Sequence, residues 1–127
     1  MKLKTLVAAL ALGFGATAFA QPANTGPVKI GFITDMSGLY ADIDGPAGGE
    51  MVKWAVQDFG GKVLGRNIEV LTADHQNKAD VAGSKAREWM DKENLAMLVG
   101  GTSSGTALAM AGVAKEKKRP FIAIGAG

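Results

Sequence analysis

A short run of glycine and hydroxyl residues offers the clearest chemistry in the sequence. Residues 100–106 read Gly-Gly-Thr-Ser-Ser-Gly-Thr and join an apolar stretch to the start of a predicted helix. The first turn of a helix has unpaired N–H groups and a partial positive charge, so it binds anions. Thr102, Ser103 and Ser104 add hydroxyl groups without adding charge. Thr102 or Ser103 could simply cap the helix and bind no ligand. However, there are more hydroxyls than one cap needs, which favours a carboxylate site.

Two other glycine-containing loops are expected to meet this run. One spans residues 34–40 and includes Tyr40, the only tyrosine, and the other spans residues 125–127. Glycine lets a ligand approach the backbone closely, so Gly125 and Gly127 are candidate contacts. Tyr40 could cover the apolar part of a ligand and offer its hydroxyl, or it could pack on its own domain.

The sequence gives only weak support to catalytic, metal or phosphate chemistry. Asp74 could orient His75, the sole histidine, but general acid–base catalysis also needs a nucleophile within reach of that pair. One histidine with scattered carboxylates and no cysteine is weak evidence for a metal site. The phosphate-binding runs G-x-x-x-x-G-K-S/T and G-x-G-x-x-G are missing after the first strand. We therefore expect no catalytic residue, metal or cofactor, and assign Asp74 and Asn77 to stabilising a turn.

Alternating strands and helices must position these loops. Apolar runs predict four strands, and a 3.6-residue period predicts three helices. The predicted elements are a strand at 28–33, a helix at 47–59, a strand at 67–73, a helix at 78–93, a strand at 95–99, a helix at 104–118 and a strand at 121–124. This order predicts an α/β fold: a doubly wound parallel sheet of order 2-1-3-4 with helices on both faces. Ligands of such sheets bind beyond the carboxyl ends of the strands, where the three loops lie.

The same patterns predict which side chains are buried. Met51, Trp54 and Phe59 share one helical face and are expected in the core, as is Trp89. The helix around residues 107–114 is apolar on nearly every side and is expected to be deeply packed.

The two last strands are also expected to be buried. The apolar runs at 95–99 and 121–124 are typical of strands covered on both faces. No helix follows the last strand, so we expect the chain to be the first part of a longer protein and residues 21–127 alone to be marginally stable.

The first twenty residues have the features of an export signal. Lys2 and Lys4 precede an apolar run from 6 to 20, which ends in the small-x-small pattern Ala18-Phe19-Ala20. A membrane anchor needs about 20 apolar residues, so this run is too short. Residues 1–20 are predicted to be a signal peptide cleaved before Gln21, and the mature chain is predicted to be exported without membrane insertion.

The charge of the mature chain excludes one class of partner. The net charge of +2 comes from Lys2 and Lys4, since without them 12 of the 14 basic residues remain and balance the 12 acidic ones. Non-specific binding of nucleic acid needs a basic stripe. We therefore expect no nucleic-acid partner.

A spaced set of residues within 28–127 carries a family resemblance. Its members are Ser37-Gly38, Gly45, Gly49, Ala55, Gly60-Gly61, Gly65, Asp74, Gly100 and Ser103-Ser104. Behind a signal peptide, this ordered set resembles the amino-terminal lobe of a periplasmic type I solute-binding protein, in the leucine/isoleucine/valine-binding group. The resemblance implies two α/β lobes that close over a ligand, with residues 21–127 as an incomplete first lobe.

The resemblance also implies a ligand site. In amino-acid binders of that family, a serine at the start of the third helix and groups after the fourth strand hold the ligand carboxylate. The matching positions here are Ser104, Gly125 and Gly127. Gly127 lacks the hydroxyl often found there, and residues 40–45 and 74–80 look more like the branch associated with aromatic or other carboxylic acids.

The implied function is that of a periplasmic, non-enzymatic substrate-binding subunit of an ABC importer. It would capture a small carboxylate-bearing solute and deliver it to a membrane ABC permease. The solute would be a branched-chain or hydrophobic amino acid, or an aromatic or aliphatic organic acid. Two alternatives stay open: an extracellular ligand-sensing domain of a receptor, and an exported α/β hydrolase.

Overall fold

The computed structural model describes residues 25–126, which form a mixed five-stranded sheet with helices packed against it. In chain order the elements are β1 (Val28–Thr34), α1 (Ala41–Asp44), α2 (Pro46–Asp58), β2 (Lys62–Val63), β3 (Arg66–Asp74), α3 (Ala79–Lys92), β4 (Met97–Gly100), α4 (Ser104–Glu116) and β5 (Phe121–Ala123). The predicted signal peptide, residues 1–20, and the predicted site residue Gly127 lie outside the described residues.

The sheet has the strand order β2-β3-β1-β4-β5. β1 pairs in parallel with β3 and with β4, and β4 pairs in parallel with β5. The four strands expected from the sequence thus lie in the predicted order 2-1-3-4, which confirms the doubly wound arrangement. Thr34 pairs with Asp74, and Ile33 pairs with Gly100. The loops that follow these strands therefore leave from one edge of the sheet.

Two short elements differ from the sequence prediction. The predicted loop between β1 and α2 contains α1, a helix of 4 residues. β2 is a strand of 2 residues that pairs antiparallel with β3, with Lys62 opposite Asn67. Neither element is long enough to produce a readable hydrophobic period.

The main core lies between one face of the sheet and helices α3 and α4. Its buried side chains are Ile33, Ala82, Ala86, Met90, Leu95, Leu98, Met110, Val113 and Ala114. Trp89 packs against this cluster, as predicted. A Cβ on Gly31 would lie 2.9 Å from the Trp89 ring, so a larger residue in β1 would push the indole away.

The other face of the sheet is covered by α2. A Cβ on Gly48 would lie 3.0 Å from Phe32 Cζ, and one on Gly49 would lie 3.3 Å from Thr72 Cγ2. Two small residues therefore bring this helix close to β1 and β3. Val99 in β4 is only partly buried on this side, so the prediction that β4 is buried on both faces is wrong.

Helix α2 buries a different stripe from the predicted one. Met51, Trp54 and Phe59 are 60%, 58% and 68% exposed, which corrects the prediction that they belong to the core. The residues that approach the sheet are smaller ones on another side of the helix, Gly49 and Val52 among them. The helical period was predicted correctly, but the buried face was not, because glycine carries no hydropathy signal.

Two further predictions of burial are wrong. Leu108 in α4 is 75% exposed, so that helix is packed on one side rather than all round. Ile122 and Ala123 in β5 are exposed, because β5 is an edge strand with a neighbour on one side only among residues 25–126.

Candidate ligand site at the carboxyl edge of the sheet

The predicted site residues follow three neighbouring parallel strands. Residues 35–40 follow β1, residues 101–103 follow β4, and residues 124–126 follow β5. β4 lies between β1 and β5. The loop that carries Thr102 and Ser103 is therefore flanked by the loop that carries Tyr40 and by Gly125.

A tight glycine turn leads from β4 into α4. Gly100 and Gly101 have φ values of 143° and 86°, which residues other than glycine rarely adopt. A Cβ on Gly100 would also clash with the carbonyl oxygen of Ile33. The turn places Ser103 at the N-cap of α4 and Ser104 at its first residue.

The hydroxyl residues at this helix start differ in exposure. Thr102 is buried, Ser103 is half-buried and Ser104 is exposed. The Ser103 side chain makes no capping hydrogen bond within the described chain. The backbone carbonyl oxygen of Ser103 accepts a hydrogen bond from the hydroxyl of Thr106 at 2.8 Å. The interpretation of Ser103 as a helix cap and nothing more therefore lacks the hydrogen bond it requires.

The loops after β4 and β5 meet at this corner. A Cβ on Gly125 would lie 3.5 Å from Thr102 Cγ2, which is ordinary contact distance. The backbone N–H of Ile124 donates to the carbonyl oxygen of Gly100 at 3.1 Å. The expected convergence of Thr102 with Gly125 is thus present.

An apolar groove begins next to Ser104. It has a volume of about 300 Å³ and reaches from Ser104 and Ala126 along α4 and β5. Its remaining lining residues are Ala107, Leu108, Ala111, Phe121 and Ala123. The corner therefore joins a polar helix start to an apolar surface.

The loop that carries Tyr40 is folded around a buried carboxylate. Asp35 is fully buried, and its oxygens accept the backbone N–H groups of Gly38 at 2.8 Å and of Tyr40 at 2.9 Å. Tyr40 itself is half-buried. Sequence reasoning gave Asp35 no role, although an aspartate three residues before a glycine is a common turn signal.

Asp74 ties the same loop to the end of β3. Its carboxylate accepts the N–H of Met36 at 2.9 Å, the hydroxyl of Ser37 at 2.6 Å and the N–H of Gln76 at 2.7 Å. Burial raises the pKa of Asp74, but these hydrogen bonds and the nearby His75 together lower it by more than burial raises it. The pKa of Asp74 therefore lies below its ordinary value. The predicted turn-stabilising role of Asp74 is confirmed.

His75 is a buried structural residue. Its Nδ1 accepts the backbone N–H of Asn77 at 3.0 Å, and the backbone N–H of His75 donates to the carbonyl oxygen of Thr34 at 2.8 Å. Burial lowers the pKa of His75 more than the charges of nearby carboxylates raise it, so the ring is neutral at pH 7. Within residues 25–126, no group of three or more His, Cys, Asp or Glu could hold a metal ion.

Comparison with known proteins decides the family. Residues 27–127 match the family described as periplasmic binding protein. The chain belongs to this periplasmic binding protein family. The match confirms the resemblance noted in the sequence. Among the described residues, no helix combines the length and apolar character that a membrane crossing needs.

Solved structures of periplasmic binding proteins share the fold. One from Burkholderia mallei is 70% identical with a TM-score of 0.78, over 80% of this chain and 27% of its own. A branched-chain amino acid ABC transporter periplasmic ligand-binding protein from Burkholderia xenovorans is 44% identical with a TM-score of 0.71, over 75% of this chain and 26% of its own.

A third related structure was solved with a ligand. It is the solute-binding protein of an ABC transporter from R. palustris in complex with benzoate, 32% identical with a TM-score of 0.69, over 77% of this chain and 27% of its own. The chain thus spans about a quarter of the length of these periplasmic binding proteins. No curated protein matches the chain.

Proposed function

We propose that this chain is the amino-terminal lobe of the substrate-binding subunit of an ABC importer. The subunit captures a small carboxylate-bearing solute and delivers it to a membrane permease. The observation that carries the proposal is the start of α4, where Ser103 and Ser104 follow a glycine turn at the carboxyl edge of the sheet. Membership of the periplasmic binding protein family supports it.

In the proposed site, an uncharged set of donors holds the carboxylate. The donors are the hydroxyls of Ser103 and Ser104 and the N–H groups of the first turn of α4. They suit an anion, because that turn carries the positive end of the helix dipole. Each hydrogen bond to a charged group contributes about 1.5–3 kcal/mol. Thr102, Gly125 and Gly127 complete the proposed rim, and Tyr40 covers the apolar part of the ligand.

The ligand class follows from a rim without basic residues. Such a rim recognises the acid group by hydrogen bonds alone, so it accepts hydrophobic amino acids and aromatic or aliphatic organic acids. Related proteins support both ends of this range: one is the periplasmic ligand-binding protein of a branched-chain amino acid ABC transporter, and another holds benzoate. Gly127 offers no hydroxyl, which favours the organic acids.

Export and a second lobe are part of the proposal. Residues 1–20 direct the chain through the inner membrane and are removed, and the mature protein works in the periplasm without catalysing a reaction. A second lobe closes over the ligand by a hinge motion. The ligand drives closure only by binding the closed state more tightly than the open one.

Calorimetry on the intact protein tests this function. Benzoate and isoleucine serve as the acids, and benzamide, in which an amide replaces the carboxylate of benzoate, serves as the neutral control. We expect at least one of the two acids to bind. If benzoate binds, we expect the affinity for benzamide to be lower by about tenfold or more. Equal affinity for benzoate and benzamide, or no binding of any small carboxylic acid, would contradict the proposal.

A further inference from the structure

Three residues at the ends of β1, α1 and β3 carry buried polar atoms that the proposed ligand contacts do not use. They are Thr34, Asp44 and His75, and we call them the His75 cluster. Thr34 Oγ1, both carboxylate oxygens of Asp44 and His75 Nε2 are buried and have no hydrogen-bond partner among residues 25–126. Thr34 and His75 are fully buried as whole residues. Buried polar groups in native proteins are nearly always paired, with protein or with ordered water.

Several contacts bring the members of the His75 cluster to one corner of the sheet. The backbone N–H of His75 donates to the carbonyl oxygen of Thr34 at 2.8 Å. A Cβ on Gly48 would lie 3.0 Å from Phe32 Cζ and 3.5 Å from Asp44 Cβ, so Asp44 lies on the Phe32 side of β1. Thr34 follows Phe32 by two residues, and its side chain therefore lies on that same face.

The protonation of the His75 ring follows from its backbone partner. Nδ1 accepts the N–H of Asn77 at 3.0 Å, so Nδ1 carries no proton. The ring is neutral, because burial lowers the pKa of His75 more than the charges of Asp35, Asp74 and Asp44 raise it. The single ring proton is therefore on Nε2, which makes Nε2 a donor.

The donor and acceptor pattern of the His75 cluster fits water. Asp44 offers acceptors only, and Thr34 offers one donor and an acceptor. A water molecule can accept from Nε2 and donate to Thr34 and to one oxygen of Asp44 at once, which satisfies three of the four atoms that have no direct partner. A metal ion fits poorly, because a protonated Nε2 cannot ligate it.

We propose that an ordered internal water bridges His75 Nε2 to Asp44 and Thr34. The bridge joins α1 to the ends of β1 and β3. Helix α1 directly follows Tyr40, so His75 and Asp44 are positioning residues for the loop that carries Tyr40. The bridge does not depend on which ligand the protein binds.

NMR spectroscopy of the intact protein, labelled with ¹⁵N-histidine, tests the bridge. The His75 signal is assigned by its loss in His75→Asn. We expect the Nε2–H tautomer at pH 7 and a cross-peak from its proton to a long-lived water. A direct hydrogen bond from Nε2 to a protein oxygen, or a ring proton that exchanges freely with bulk water, would overturn the proposal. The tautomer and the exchange of the ring proton are measured on the unmodified protein, and only the assignment uses a variant.

A matched pair of variants provides the second test. Asp44→Asn removes the charge at the proposed bridge, and Asp42→Asn removes an exposed charge from the same short helix. We expect Asp44→Asn to lower the pKa of His75 and to speed exchange of its ring proton about tenfold or more, whereas Asp42→Asn leaves both nearly unchanged. Equal behaviour of the two variants would show that Asp44 has no link to His75.

Discussion

The hydroxyl of Ser37 donates a 2.6 Å hydrogen bond to Asp74 Oδ2 and joins the loop after β1 to the end of β3. The other carboxylate oxygen of Asp74 accepts backbone N–H groups from Met36 and Gln76. One side chain therefore fixes two neighbouring loops at the edge of the sheet where the proposed ligand site lies.

Replacing Asp74 is expected to weaken the fold. Asp74→Ala removes three hydrogen bonds and leaves the partly buried N–H of Met36 without its acceptor, so we expect the free energy of unfolding to fall by about 1–3 kcal/mol. The exposed Asp42→Ala, as a control, should stay within about 0.5 kcal/mol of the parent. Denaturant unfolding of the intact protein measures both. An Asp74→Ala protein as stable as the control would show that these hydrogen bonds do not stabilise the fold.

The stability of the protein is expected to decline in acid in two stages. The pKa of His75 is lowered below its ordinary value of 6.5, so the unfolded chain takes up this proton more readily than the folded one. The stabilisation from neutral His75 is therefore present above about pH 6.5 and is lost as the pH falls through the folded pKa. The pKa of Asp74 is also lowered, so its contribution is lost in stronger acid, as the pH falls through that folded pKa.

His75→Asn separates the first stage from the second. Asparagine retains a side-chain acceptor close to the position of Nδ1 but does not titrate. We expect the decline in unfolding free energy just below about pH 6.5 to disappear in this variant, while the decline in stronger acid remains. Unfolding curves recorded across this pH range measure the difference, and identical pH profiles for parent and variant would refute the role given to His75.

Two glycines of the same region should respond to alanine in opposite directions. Gly100 has a φ of 143°, and its Cβ would clash with Ile33, so Gly100→Ala should lower the unfolding free energy by about 1–3 kcal/mol or more. Gly112 lies in α4 with nothing within 4 Å of its Cβ position, so Gly112→Ala should raise it by up to about 1 kcal/mol. Denaturant unfolding distinguishes them, and a neutral Gly100→Ala would mean that the turn into α4 is not constrained.

The strand order could be predicted because it depends on local patterns. Apolar runs and helical periods identified β1, β3, β4, β5 and the three long helices, and the handedness of crossovers limited the possible orders. The phase of α2 could not be predicted in the same way. Its close approach to the sheet depends on Gly48 and Gly49, which contribute no hydropathy, while Trp54 lies on an exposed face.

The candidate site was predicted in part for a related reason. The hydroxyl residues at the start of α4 are contiguous in sequence, so Ser103 and Ser104 could be identified from the local sequence. The hydrogen bonds that hold the neighbouring loop join distant residues, such as Ser37 and Asp74, which are 37 positions apart. Sequence periodicity does not indicate such a pair. Sequence reasoning therefore found the proposed binding groups and missed the buried carboxylate of Asp35 that shapes the Tyr40 loop.

Loss of the Ser104 hydroxyl should weaken ligand binding. Ser104→Ala should reduce the affinity for a bound carboxylate by about 1–3 kcal/mol, because a donor to a charged group is removed. Ser84→Ala, an exposed serine of α3, is the matched control and should bind as the parent does. Calorimetry on the intact protein measures both affinities, and unchanged binding by Ser104→Ala would remove Ser104 from the site.

The most direct test of the central proposal is a crystal structure of the intact protein with a bound carboxylic acid. We expect the carboxylate oxygens to lie at the start of α4, within about 2.7–3.1 Å of hydroxyl or N–H donors of Ser103 and Ser104, with Gly125 at the same rim. A carboxylate bound elsewhere, with these serines facing away from it, would contradict the account.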